Sequence, residues 1–129
     1  MWFRLPAQRI AAGHSVQAKA NTFMYLFEWE SPLIGAAHAM DLMVFGNGLP
    51  FAILAGFADY DRTAAFMRQA WVRFATEGNP STPEFSWPHY NEQQAAVSIN
   101  ESPTVRHGSW QESALIEKVI AGSWLDMGL

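Results

Sequence analysis

Cysteine is absent from the 129-residue chain. That excludes disulfides, thiolate metal sites and a cysteine nucleophile, and it leaves the redox compartment unmarked. Basic residues are few, with 8 Lys and Arg against 12 Asp and Glu and a formal net charge of -4. This balance gives no electrostatic reason to expect nucleic acid or an anionic membrane as partner. Long apolar runs are also missing. The most apolar window, residues 48–58, is broken by Pro50 and Gly56 and is too short to span a bilayer. The start, Met1-Trp2-Phe3-Arg4-Leu5-Pro6, lacks a long apolar stretch behind a basic segment, so it does not read as a signal peptide. No repeat, low-complexity run or linker divides the chain. It therefore reads as one soluble piece over residues 1–129, cytoplasmic if made as given.

What is plentiful is apolar and aromatic. Half of the residues are hydrophobic, and six Trp, nine Phe and three Tyr are many rings for this length. Each buried ring removes roughly 150–250 Å² from water. So many rings imply a dense core, or faces meant to pack on something else.

The patterning predicts α/β elements in a definite order. Residues 3–12 read as a helix, with Phe3, Leu5, Ile10 and Ala12 able to share a face, Arg4 and Arg9 toward solvent, and Gly13 as a stop. Residues 22–29, Thr-Phe-Met-Tyr-Leu-Phe-Glu-Trp, give the strongest strand signal, apolar on both faces as in a buried parallel strand. A short buried helix is the alternative; the aromatic enrichment and the Ser31-Pro32 ending favour the strand. A Gly- and Pro-punctuated loop follows, then a short helix over 41–45 and an apolar loop over 48–60. Residues 61–77 form the clearest helix, which Asp59 or Asp61 can cap and which Gly78-Asn79-Pro80 stops. Residues 95–100 and 104–107 read as a hairpin around Glu101-Ser102-Pro103, and a last helix runs from 109 or 110 to 120.

Several ordered motifs carry a resemblance. Tyr25-Leu26-Phe27-Glu28-Trp29 precedes Ser31-Pro32. Then comes Gly35-Ala36-Ala37-His38-Ala39-Met40-Asp41, closed by Phe45-Gly46-Asn47. This stretch resembles the histidine region of type-B carboxylesterases and cholinesterases: a strand ending in an aromatic, a Gly-x-x-His segment, an acidic residue three positions on, and a closing Phe-Gly. Downstream, Ala70-Trp71-Val72-Arg73-Phe74-Ala75 with Gly78-Asn79-Pro80 is similar to the family's C-terminal helix and its stop, and Trp87-Pro88-His89-Tyr90 to its Trp-Pro loop. The family usually has Gly directly after the histidine; here Ala39 stands there, and its Cβ makes positive φ costly.

The resemblance implies the C-terminal fragment of an α/β-hydrolase fold, with His38 at the catalytic histidine's position. In such enzymes a Ser on a strand-to-helix elbow attacks the ester carbonyl. A His takes the Ser proton and returns one to the leaving alcohol. A carboxylate orients the His, and backbone N–H groups bind the oxyanion. No metal and no cofactor is expected. The nucleophile, acid and oxyanion glycines lie far upstream of the histidine in the family, whereas only 37 residues precede His38. Gly13-His14-Ser15-Val16-Gln17 lacks the elbow's last Gly and reads as chance. The isolated chain is therefore expected to be inactive.

The other candidates have plainer readings. Asp41 is expected to serve structure, as a helix-start or hydrogen-bonding residue. Glu28 and Glu30 are expected to be solvated. His14, His89 and His107 lack metal-ligand spacing and read as surface residues. The stripe Met67, Trp71 and Phe74 reads as core, and residues 49–57 as a gorge lining or a packing face. A strand without sheet neighbours exposes unpaired N–H and C=O groups. Self-association through the strand edge or the helices is the expected remedy, and the resemblance implies a second partner, an N-terminal esterase portion that supplies the Ser, the acid and the oxyanion loop. Against the fragment reading stands a stand-alone oligomeric remnant with a binding or structural role.

Overall fold

The computed structural model describes residues 4–17, 21–35, 37, 39–46, 49–55, 60–91 and 93–108. The expected last helix, residues 109–120, lies outside them. The elements are α1 (Arg4–Ser15), β1 (Tyr25–Phe27), a 310 helix (Met40–Phe45), α2 (Leu49–Leu54), α3 (Asp61–Glu77), β2 (Ala96–Ile99) and β3 (Thr104–Arg106). Helices thus flank a three-stranded mixed sheet, ordered β1-β2-β3. No helix among the described residues is long and apolar enough to cross a membrane.

The sheet is short because its ladders are short. β1 pairs with β2 in parallel, Tyr25 opposite Val97 and Phe27 opposite Ile99. β2 pairs with β3 antiparallel, Ala96 opposite Arg106 and Ser98 opposite Thr104. Among the described residues only β2 has a strand on both sides, and all four of its residues are buried. The strand expected over 22–29 is paired for three residues only, each of them half-buried. Apolar side chains mark a strand for burial, but ladder length is set by the neighbour, and among the described residues β1 has a neighbour on one side alone.

α3 makes the crossover between the parallel strands, over the predicted residues. Its N-cap is Tyr60, without a side-chain cap bond, and Asp61 stands in the first turn instead of capping. There its charge meets the positive end of the helix dipole. At the other end Gly78 takes φ +70°, and its N–H bonds Phe74 O at 2.9 Å. The helix buries Thr63, Ala64, Met67 and Ala70. Met67 and Ala70 close the main core with Trp87, Val97 and Ile99, and Phe66 stacks on Trp87 at 6.1 Å. Phe74, by contrast, is 46% exposed, and Trp71 packs only partly against this core.

On the opposite face of the sheet, Ala11 of α1 meets Met24, Tyr90 and Ala96. α1 runs through the expected break at Gly13 and ends at Ser15. Its buried residues are Gln8 and Ala11, while Ile10 is 72% exposed and Ala12 is exposed. The stripe Arg4, Gln8, Ala11 and Ser15 has helical spacing and faces inward, so the more apolar side looks outward. A second correction concerns residues 49–54. They form α2 and not a loop, because Pro50 suits the first turn of a helix, where its missing N–H costs nothing.

Candidate active-site segment

The segment that carries the histidine begins where β1 ends. Trp29 is buried with Met40 and Ala55, and the Trp29 and Tyr60 rings meet edge-on at 6.2 Å. After Trp29 the chain turns sharply. Ser31 and Gly35 exchange backbone bonds of 2.8 and 3.2 Å, and Ser31 Oγ accepts the Leu33 N–H at 3.2 Å. Gly35 closes this turn at φ +65°, a conformation that suits a residue without Cβ. The Ala37 N–H then bonds Gly35 O at 3.1 Å.

Ala39 holds φ +66°, the left-handed region, although it carries a Cβ. Its carbonyl accepts the Leu42 N–H at 3.1 Å and so opens the 310 helix. A backbone conformation that glycine adopts at no steric cost is thus demanded here of an alanine. Met40 anchors the next position by burial, with 3% of its surface exposed. His38 lies between Ala37 and Ala39 and is outside the described residues.

Asp41 stands in the first turn of the 310 helix, and its Oδ2 accepts the Tyr25 hydroxyl at 3.2 Å. This tie reaches from β1 across the histidine segment to its far side. Burial first, then the negative charge of Asp41 and the hydrogen bond given to it, push the Tyr25 hydroxyl up to about 12. The sequence does not mark Tyr25 as a polar partner. Nothing local marks it, because it lies 16 residues from Asp41 and reads only as one more strand aromatic.

Glu28 is the other correction. It is not merely solvated: it accepts the Ser98 hydroxyl in a short hydrogen bond and pairs with Arg106 at 2.7 Å. One carboxylate therefore ties β1 to both other strands. Glu30 is exposed, as expected.

Of the remaining candidates, His14 lines one groove with Ala37, Ala39 and Asp41. Ser15 Oγ donates to Ala12 O at 2.9 Å, an ordinary helix-end bond. His14 is exposed at the end of α1 and lies 2.7 Å from Thr22 Oγ1. His89 packs on Phe23 with ring centroids 4.5 Å apart, and His107 is exposed. Among the described residues no group of three or more His, Asp or Glu could hold a metal ion.

The family model described as "Carboxylesterase family" matches residues 1–115. The para-nitrobenzyl esterase of Bacillus subtilis (strain 168) is 36% identical over 107 residues, which make up 78% of this chain and 22% of that protein. A solved para-nitrobenzyl esterase structure superposes with a TM-score of 0.67 at 31% identity, covering 81% of this chain and 23% of its own. The Geobacillus stearothermophilus carboxylesterase superposes with a TM-score of 0.61 at 26% identity, over 88% of this chain and 27% of its own. The chain belongs to the carboxylesterase family. It spans about a fifth of the length of the curated relative it matches.

Proposed function

We propose that this chain is the histidine-bearing C-terminal part of an ester-hydrolysing α/β-hydrolase, and that His38 is its one catalytic residue. In this reading His38 accepts the proton of a serine hydroxyl as that oxygen attacks an ester carbonyl. It then protonates the departing alcohol. The serine, the acid that orients His38 and the oxyanion donors belong to the portion of the esterase outside these 129 residues. An imidazole suits the role because its ordinary pKa, near ~6.5, lies close to neutral pH.

The observation that carries the reading is the match to the carboxylesterase family over residues 1–115, which includes the Gly35-Ala36-Ala37-His38 segment. The fixed flanks of that segment support it: the Ser31–Gly35 turn before His38, and buried Met40 with the Tyr25–Asp41 bond after it. Alone the chain is expected to hydrolyse no ester, because one triad member without nucleophile or oxyanion hole leaves little rate enhancement. The test is to combine the chain with the remainder of a related esterase and follow a nitrophenyl ester. Hydrolysis that appears on mixing and vanishes with His38→Ala supports the reading. No gain in rate, or no effect of His38→Ala, refutes it.

A second reading has two observations in its favour. The outward apolar side of α1, and the pairing of β1 on one side alone among the described residues, suit a stand-alone piece that associates with copies of itself, without catalysis. A stable monomer in light scattering at micromolar concentration refutes that reading.

A further inference from the structure

A second cleft lies beside α3, and its walls come from three separate stretches of the chain. Arg62, Phe66 and Gln69 follow one another at i, i+4 and i+7 along α3 and form the first wall. Glu84 and Phe85 form the second, and the 100–103 turn between β2 and β3 forms the third. The cleft has a volume of about 440 Å³, the size of a small-molecule site. It shares no lining residue with the groove beside Ala37, Ala39 and Asp41.

These walls are fixed by their own bonds. The Thr63 hydroxyl donates to Asn100 O at 3.2 Å and so ties α3 to the turn. The Ser102 N–H bonds Asn100 Oδ1 at 2.9 Å, which sets the shape of the turn. Thr82 and Phe85 exchange backbone bonds of 2.9 and 3.2 Å. Phe66 meets Phe85 edge-on at 5.4 Å and lies stacked on Trp87. The aromatic floor therefore stands ready, and a ligand would order little of the protein on binding.

Around the floor stand Arg62, Glu84 and Glu101, all exposed. Among the described residues no side chain pairs with any of the three. A guanidinium and two carboxylates thus line one cleft without neutralising each other. An anion alone would meet the two carboxylates there, and a cation alone would meet Arg62. A molecule with both signs and an apolar body satisfies all three charges together with the rings. We propose that the cleft binds a small zwitterion with an apolar side chain, in the simplest case a free amino acid. Its carboxylate lies at Arg62, whose planar fork suits a two-point bond. Its ammonium lies toward Glu84 and Glu101, and its side chain lies on Phe66 and Phe85. This site is separate from the ester chemistry proposed above and does not rest on it.

The experiment titrates the full 129-residue chain with three ligands while amide chemical shifts are followed residue by residue. The ligands are phenylalanine, phenylalanine amide, which lacks the carboxylate, and phenylpropionate, which lacks the ammonium. Phenylalanine is expected to shift Gln69, Phe85 and Ser102 saturably, with a dissociation constant of about 1 mM. The amide and phenylpropionate are each expected to bind at least about threefold more weakly. Arg62→Gln should bring phenylalanine level with its amide. Glu84→Gln combined with Glu101→Gln should bring it level with phenylpropionate. All three positions are exposed, so the circular dichroism of these variants is expected to match the wild type. The three-ligand comparison on the unmutated chain decides the matter even where a variant fails to fold. No saturable shift by about 20 mM overturns the inference. Equal binding of the three ligands, or shifts that map away from the cleft, overturn it as well. So does a preference for phenylalanine over its amide that survives Arg62→Gln.

Discussion

The Tyr25 hydroxyl donates to Asp41 Oδ2 across 3.2 Å, joining β1 to the first turn of the 310 helix that follows His38. The sequence folds a strand and a turn on either side of the histidine, and this bond ties the two together. Tyr25→Phe removes the donor and leaves the ring. At neutral pH a loss of about 1 kcal/mol is expected in urea unfolding. The pH dependence has a definite sign. The folded chain holds the tyrosine proton up to about 12, against an ordinary value of 10.0. The contribution of Tyr25 is therefore complete below pH 10.0 and lost as pH rises toward about 12. The stability gap between wild type and Tyr25→Phe should narrow across that window. A constant gap would contradict the assignment.

Ala39 occupies the left-handed region at φ +66°. A Cβ there costs roughly 1–2 kcal/mol, and glycine returns part of that gain through its larger unfolded-state entropy. Ala39→Gly is expected to stabilise the chain by about 0.5–1 kcal/mol, read as a higher denaturant midpoint at unchanged slope. Destabilisation would mean that the segment does not hold Ala39 in this conformation.

Glu28 serves Ser98 and Arg106 together, but the two ties differ in worth. Arg106 is about half exposed, with 49% of its side-chain surface accessible, and a pair of that kind contributes about 1 kcal/mol or less. Ser98 is buried, and its hydroxyl is left unpaired when the carboxylate goes. Glu28→Ala should therefore cost more than Arg106→Ala, by about 1 kcal/mol in denaturant unfolding. Equal losses would mean that the ion pair outweighs the buried bond.

The aromatic and methionine stripe of α3 divides into core and surface. Met67 is fully buried, and Met67→Ala should cost about 2–5 kcal/mol. Phe74 is nearly half exposed, and Phe74→Ala should cost well under half as much. Thermal unfolding of the two variants compares them directly, and similar losses would contradict the burial.

Local signals carried well where the controlling interactions were local. α3 could be read from its apolar spacing and its glycine stop, and β2 and β3 from two short β-prone runs around Glu101-Ser102-Pro103. The structure departs from the sequence reading where distant residues decide. β1 looks eight residues long in composition but pairs over three, because the extent of a ladder belongs to its neighbour. The inward side of α1 carries Gln8, since the sheet covers that side and leaves Ile10 to the groove. Pro50 reads as a loop breaker yet opens α2. At the candidate site, Gly35, His38 and Asp41 were visible as a motif, and Ala39 as its unusual member. The Tyr25–Asp41 and Glu28–Ser98 bonds span 16 and 70 residues, and no spacing rule reaches that far.

In the proposed function His38 works as a proton carrier only when the rest of an esterase is present. Nitrophenyl ester hydrolysis in four mixtures tests this: the chain alone, the complementary esterase part alone, both together, and both together with His38→Ala. Hydrolysis is expected only in the third, with the His38→Ala mixture slower by roughly a thousandfold or more. Hydrolysis by the chain alone, or a His38→Ala mixture as fast as the unmutated one, would contradict it.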